Sequence, residues 1–160
     1  MNKFIEISLY TFSFHILCYV LWLFVIVPAE GQTQITELGS LIYLPHAGRV
    51  LPVIFFGWQA IPAILVAEII EWEFLWQGMD FYRTVTATTI STLALISSWG
   101  LFKWVGVDLK ESGVLINTNW KHVSLFIFVA AALNGLGNGA WYAYIFDETD
   151  ALISVRFMIG

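Results

Sequence analysis

The sequence predicts an all-α protein, a polytopic transmembrane helical bundle forming a single domain over residues 1–160, and three observations carry that reading. Hydrophobic residues make up 59% of the 160 residues and charged ones only 12%, against roughly 25% charged in soluble domains. Charge-free intervals at 7–29, 50–67, 84–102 and 122–146 reach the length of about 18 residues that marks a helix candidate across a hydrocarbon layer of about 30 Å. Lysines concentrate in alternate loops, as membrane insertion requires. The same composition excludes disorder, which needs low hydrophobicity and high net charge, and nucleic-acid binding, which needs a basic patch that seven Lys and Arg do not supply.

Five full spans and the start of a sixth follow in order. The first covers 7–29; it is too long for a signal-peptide core and no small-x-small site follows it, so it is a retained helix. The apolar stretch from 38 to 76 is too long for one span and carries Pro45, Pro52, Gly57 and Pro62. It therefore divides into helices at 38–56 and 61–77 around a tight turn at Gly57-Trp58-Gln59-Ala60. The fourth span covers 83–104 and the fifth 121–146, with 105–120 as the longest connection. The last ten residues, 151–160, begin a sixth span but rise only about 15 Å, so the native chain is expected to continue. A cytoplasmic N-terminus places Lys3, Lys103, Lys110 and Lys121 inside and leaves the outer loops acidic. Trp58, Trp104 and Trp120 then fall at inner boundaries, where an amphipathic indole is most stable.

Ionisable residues inside a bilayer cost roughly 2.5 to 3.5 kcal/mol each on insertion scales, which makes each one a functional hypothesis. Four lie in one hairpin: His46 and Arg49 on the second span, Glu68 and Glu71 on the third. Counted from the turn, Arg49 matches Glu68 in depth and His46 matches Glu71. Each pair is also spaced i, i+3 on its own helix. The spacing predicts a two-rung ladder, Arg49 with Glu68 and His46 with Glu71, about 12 to 18 Å from the inner boundary. Such a ladder either holds two helices together or forms a ligand or proton site. Arg156 needs a carboxylate, and Glu71 or Glu73 would tie the sixth segment to the hairpin.

Other polar residues are assigned by their neighbours. Di-iron bundles need Glu/His motifs on more than one helix and this chain has one, so no metal site is assigned. His15, near the middle of the first span, is either hydrogen-bonded within the bundle or a tetrapyrrole ligand, of haem or chlorophyll, together with His46. His122 falls at an inner boundary in solvent. In the fifth span Ala131, Gly135 and Gly139 recur at intervals of four beside Asn134 and Asn138. That pattern predicts close helix packing with amides bonding across the contact, or else a polar pocket. The hydroxyls of the fourth span are expected to bond back to their own helix or to a neighbour. Cys18 is the one cysteine and forms no intrachain disulfide. No nucleophile elbow, phosphate-binding glycine loop, zinc-protease motif or Cys-x-x-Cys is present, so the chain reads as non-enzymatic.

The stretch Tyr43-Leu44-Pro45-His46-Ala47-Gly48-Arg49-Val50-Leu51-Pro52, followed by Phe56-Gly57-Trp58-Gln59-Ala60-Ile61-Pro62, resembles MASE1-type membrane sensory domains, with a fainter likeness at Arg156-Phe157-Met158-Ile159-Gly160. The resemblance covers mainly residues 41–70. It implies a multi-pass module of the bacterial inner membrane that feeds a signal to a cytoplasmic output domain. These 160 residues depart from the pattern at His46, include fewer spans and do not include an output domain. Beside that reading stand an accessory subunit of a larger membrane complex, pigment- or haem-associated or not, and a small-molecule transporter component. The expected partners are the lipid bilayer and other membrane subunits.

Overall fold

A computed structural model describes residues 2–30, 43–75, 81–107, 109 and 120–146. Among these residues all regular structure is helical, which agrees with the all-α expectation. Four helical stretches, Lys3–Ala29, Leu44–Glu71, Val85–Trp104 and Trp120–Tyr144, are long and apolar enough to cross a membrane. The expected sixth segment, and Arg156 with it, lies outside the described residues.

Helix α1 (Lys3–Leu21) is capped by the Asn2 side chain, which accepts the Phe4 N–H at 3.1 Å. It runs into a π-helical turn, Trp22–Ile26, and a last short helix, α2 (Val27–Ala29). Pro28 supplies the physical reason for the π turn. With no N–H to donate and a ring that crowds the preceding turn, proline breaks the i to i−4 ladder, and the Val27 N–H reaches back five residues to the Trp22 carbonyl. The buried face of α1 is Ile7, Thr11, His15, Cys18, Tyr19 and Trp22, a stripe at helical spacing that is largely polar or amphipathic. Its other faces expose Leu9, Tyr10, Leu17, Phe24 and Val25, as a helix in lipid does.

Helix α3 (Leu44–Phe56) opens with Pro45 in its first turn, where a missing N–H costs nothing. It ends at Gly57, whose φ of 65° and ψ of −146° suit glycine alone. A 3₁₀ turn, Gly57–Ala60, leads into α4 (Ile61–Leu75). The turn therefore falls where the sequence predicted it. The chain reverses there: a straight helix would hold positions 49 and 68 about 28 Å apart, whereas the side chains of Arg49 and Glu68 are in contact. The second apolar stretch is thus two short arms, and each packs more extensively on α1 than on the other arm.

Helix α5 (Phe81–Trp104) stops in a Schellman motif. Gly106 takes φ +80°, its N–H bonds the Lys103 carbonyl at 3.2 Å, and the Val107 N–H bonds that of Phe102 at 2.9 Å. Within α5, Thr86, Thr89 and Ser98 bond back to carbonyls four residues earlier, as the hydroxyl-rich sequence suggested. Helix α6 (Trp120–Phe146) lies antiparallel to α5. Phe102 meets Phe126 edge to face at 5.4 Å, the Asn138 Nδ2 donates to Ser91 Oγ at 3.3 Å, and Tyr82 lies 5.9 Å from Trp141.

Two helical groups, α1 with α3 and α4, and α5 with α6, join through an apolar core that includes Val53, Ile54, Ile64, Leu95, Phe102 and Phe126. Leu109, just past the Schellman motif, is buried in the same core. Because His15 lies against Gly48 and Trp22 against Tyr43, α1 runs antiparallel to α3. The start of α1 and the turn at 57–60 therefore share one end of the bundle. Trp99 of α5 lies against Gly57 at that end too, and Trp58, Trp104 and Trp120 are all exposed there. This is the grouping of tryptophans expected of a single membrane interface.

Candidate functional site

The site forms where α1, α3 and α4 meet. The buried stripe of α4, Ala63, Ile64, Ala67, Glu68 and Glu71, continued from Ala60 of the turn, follows the i, i+3, i+4 spacing of a core-facing helix, so both carboxylates point inward by position alone. Glu68 is 4% exposed and Glu71 5%. Arg49 Nε contacts Glu68 Oε1, with the two side chains 13% and 3% exposed. The guanidinium also stands over the Tyr43 ring, 5.7 Å from its centroid, and Tyr43 packs edge to face on Trp22 at 5.0 Å. Trp22 of the π turn thus backs the ring over which Arg49 stands.

The first rung of the predicted ladder is present and the second is rearranged. Glu71 pairs with His15 of α1, Nε2 to Oε1 at 3.3 Å, with the His15 side chain fully buried, and not with His46. The reason is azimuthal. On a helix of 3.6 residues per turn, positions 46 and 48 lie about 200° apart. Gly48 faces α1 so closely that a Cβ placed on it would stand 3.0 Å from His15 Nδ1 and 3.2 Å from both Cys18 Cβ and His15 Cα. His46 therefore turns away from α1, towards the backbone of Ile127 on α6. His15 and His46 consequently do not face each other, and the two ring nitrogens of His15 meet Glu71 and Gly48. The two histidines that the haem or chlorophyll alternative would pair thus face different neighbours.

Several buried polar atoms in and around this cluster have no hydrogen-bond partner among the described residues: Thr11 Oγ1, His15 Nδ1, His46 Nε2 and Glu68 Oε2. Buried polar groups are nearly always satisfied, by protein or by ordered water, so these atoms mark a place where water, a proton or a ligand group belongs. Thr11, one turn below His15 on the same face and fully buried, was not singled out from the sequence. The signal was there in the spacing Thr11, His15, Cys18 and Trp22. Among the described residues no group of three or more His, Cys, Asp or Glu is arranged to hold a metal ion.

The second polar region lies between α5 and α6. Asn138 Nδ2 donates to Asn134 Oδ1 at 2.8 Å as well as to Ser91, so the predicted amide bridging is present and both asparagines are buried. Gly135 and Gly139 are buried and Ala131 partly so. The closest approach to α5, however, is at Gly137, where a Cβ would fall 2.6 Å from Ile90 Cγ2. His122 is exposed, as expected.

No protein-family model, no curated protein and no solved structure matches the chain.

Proposed function

We propose that this chain is a non-enzymatic membrane module of the sensory kind suggested by the MASE1-like stretch at 41–70. Its site is the buried cluster of His15, Arg49, Glu68 and Glu71. One observation carries the reading: four ionisable side chains from three helices are brought within about one helical turn of each other inside an apolar bundle, flanked by polar atoms that have no hydrogen-bond partner among the described residues. A cluster needed only to join helices would be expected to satisfy its own polar atoms, whereas a site for an exchangeable occupant leaves some free. In this reading the arms α3 and α4 are two spans, which with α1, α5 and α6 make five, and the segment 151–160 begins a sixth. The N-terminus is cytoplasmic, the membrane is the bacterial inner membrane and the lipid bilayer is the partner, while other membrane subunits are the partners under the second reading.

The accessory-subunit reading rests on the polar seam of Asn134, Asn138 and Ser91, which is the kind of contact helices use to assemble in membranes. Purification in mild detergent separates the two. Isolation without stoichiometric partner subunits supports the sensory module, and a fixed set of co-purifying subunits refutes it. Exchange of charges tests the cluster itself. Arg49→Glu and Glu68→Arg should each prevent accumulation, because removing one partner of a buried pair costs about 3 to 5 kcal/mol. The double exchange should restore it.

A further inference from the structure

The charges of the cluster do not cancel by themselves. Arg49 and Glu68 are in contact and cancel. Glu71, one turn further along α4, has His15 as its direct partner at 3.3 Å. The other groups acting on Glu71 are Arg49 and Glu68; Cys18 of α1 and Tyr43, beside the start of α3, also lie within its field, and His46 of α3 interacts with Arg49. With Arg49 charged, both glutamates ionised and His15 neutral, the cluster would carry a net charge of about −1 in a place where an uncompensated ion is strongly disfavoured. One proton, on either His15 or Glu71, brings it to neutrality.

Resting on the reading of this cluster as the functional site, we infer that His15 and Glu71 form a proton-binding site, with one exchangeable proton held between His15 Nε2 and Glu71 Oε1. On release the bond from that proton to nitrogen or oxygen breaks, the electron pair stays on the ring or carboxylate, and the proton passes to water or buffer base. The cluster then changes from neutral to singly negative. The fully buried His15 and the nearly buried Glu71 join α1 to α4, so the change in charge acts on the contact between these two helices. Thr11 Oγ1, one turn before His15 on α1, and Glu68 Oε2, one turn before Glu71 on α4, have no hydrogen-bond partner among the described residues, and both stand on the side of the pair towards the turn at 57–60, where they would pass the proton on. Gly48 makes the site possible by letting α3 approach the back of the His15 ring.

The test is an infrared pH titration of the purified full chain in detergent, from about pH 3 to 9, which covers the ordinary carboxylate and imidazole midpoints. The carboxylic acid and imidazole bands are read together. Among the titrating bands of the other carboxylates and histidines, the wild type should show one transition in which carboxyl and imidazole bands change at a common midpoint; it survives in His122→Gln, because His122 is exposed, is lost in Glu71→Gln, and in His15→Gln loses its imidazole part while Glu71 alone keeps the proton. In Glu68→Gln, Arg49 neutralises Glu71 without a proton, so the carboxylic acid band of the pair should be absent where the wild type still shows it. If no transition occurs in the wild type, or if it persists in Glu71→Gln, the proton assignment fails. A midpoint set by added sodium or potassium would make a metal cation the occupant and overturn it as well. The charge exchange at Arg49 and Glu68 keeps the two failures apart. If that exchange behaves as expected while no proton transition exists, the cluster stands and the proton does not; if the exchange fails, the cluster itself is wrong.

Discussion

Gly48→Ala is the smallest change that should disturb the cluster. The added Cβ would lie 3.0 Å from His15 Nδ1, 3.2 Å from Cys18 Cβ and 3.2 Å from His15 Cα, all closer than an ordinary contact of about 3.5 to 4.0 Å. Two of the three neighbours are backbone or Cβ atoms that no rotamer change can move, so α1 must shift from α3 by about half an ångström. Overpacking of this kind costs about 1 to 3 kcal/mol, and the displacement of His15 should also lengthen its contact with Glu71. Reversible unfolding in mixed detergent micelles measures the first effect. Nitrogen NMR of His15, labelled in the full chain, measures the second through the hydrogen bonding of Nε2. Cys18→Ala should not relieve the strain, because it keeps the Cβ. If Gly48→Ala leaves stability within about 0.5 kcal/mol of the wild type, the size of a typical surface substitution, and leaves the His15 spectrum unchanged, the close packing of α1 on α3 is refuted.

Other expected outcomes follow from the same contacts. Gly137→Ala drives a Cβ to 2.6 Å from Ile90 Cγ2, and because a β-branched side chain in a helix has one strongly preferred rotamer, the cost should be about 1 to 3 kcal/mol. Adding Ile90→Ala should recover part of it in a double-mutant cycle, whereas Ile90→Val, which keeps a branched Cβ, should not. Asn138→Leu removes the bonds to Ser91 and Asn134 and should destabilise the α5–α6 pair by about 0.6 to 2 kcal/mol in micelle unfolding. Gly106→Ala places a Cβ on a residue at φ +80° and should cost about 1 to 2 kcal/mol, with hydrogen exchange rising at the end of α5.

What the sequence made legible depended on one-dimensional counting. The positions of Gly57 and Pro62 and the equal distances of Arg49 and Glu68 from Trp58-Gln59 were enough to place the reversal and the Arg49–Glu68 pair, because both are matters of depth along a helix. Depth does not specify azimuth. His15 and His46 were both candidates at a similar level, and only the choice of Gly48 as the face towards α1 decides that His15, not His46, reaches Glu71. The ladder reading also assumed that the two arms pack mainly on each other, whereas α1 packs on both and supplies the histidine. The same limit applies to α6. The small-residue row at 131, 135 and 139 was visible as a pattern, but the tightest contact falls on Gly137, which belongs to a different row and faces Ile90. The Schellman stop at Gly106 and the π turn before Pro28 follow from local chemistry that was present in the sequence and was passed over.

The central claim is that the chain folds back at 57–60, so that residues far apart in sequence meet at one depth. Cysteine labelling tests it most directly. In a Cys18→Ala background, single cysteines at Asn2 and Gln59 are exposed to a membrane-impermeant thiol reagent from each face of sealed inverted and right-side-out vesicles. The account predicts that both positions react from the same face, since the start of α1 and the turn share one end of the bundle. A straight span through 44–71 would bury Gln59 near the bilayer centre, about 20 Å from either end by helical rise. Failure of Gln59→Cys to react from either face, with Asn2→Cys reacting normally, would contradict the account.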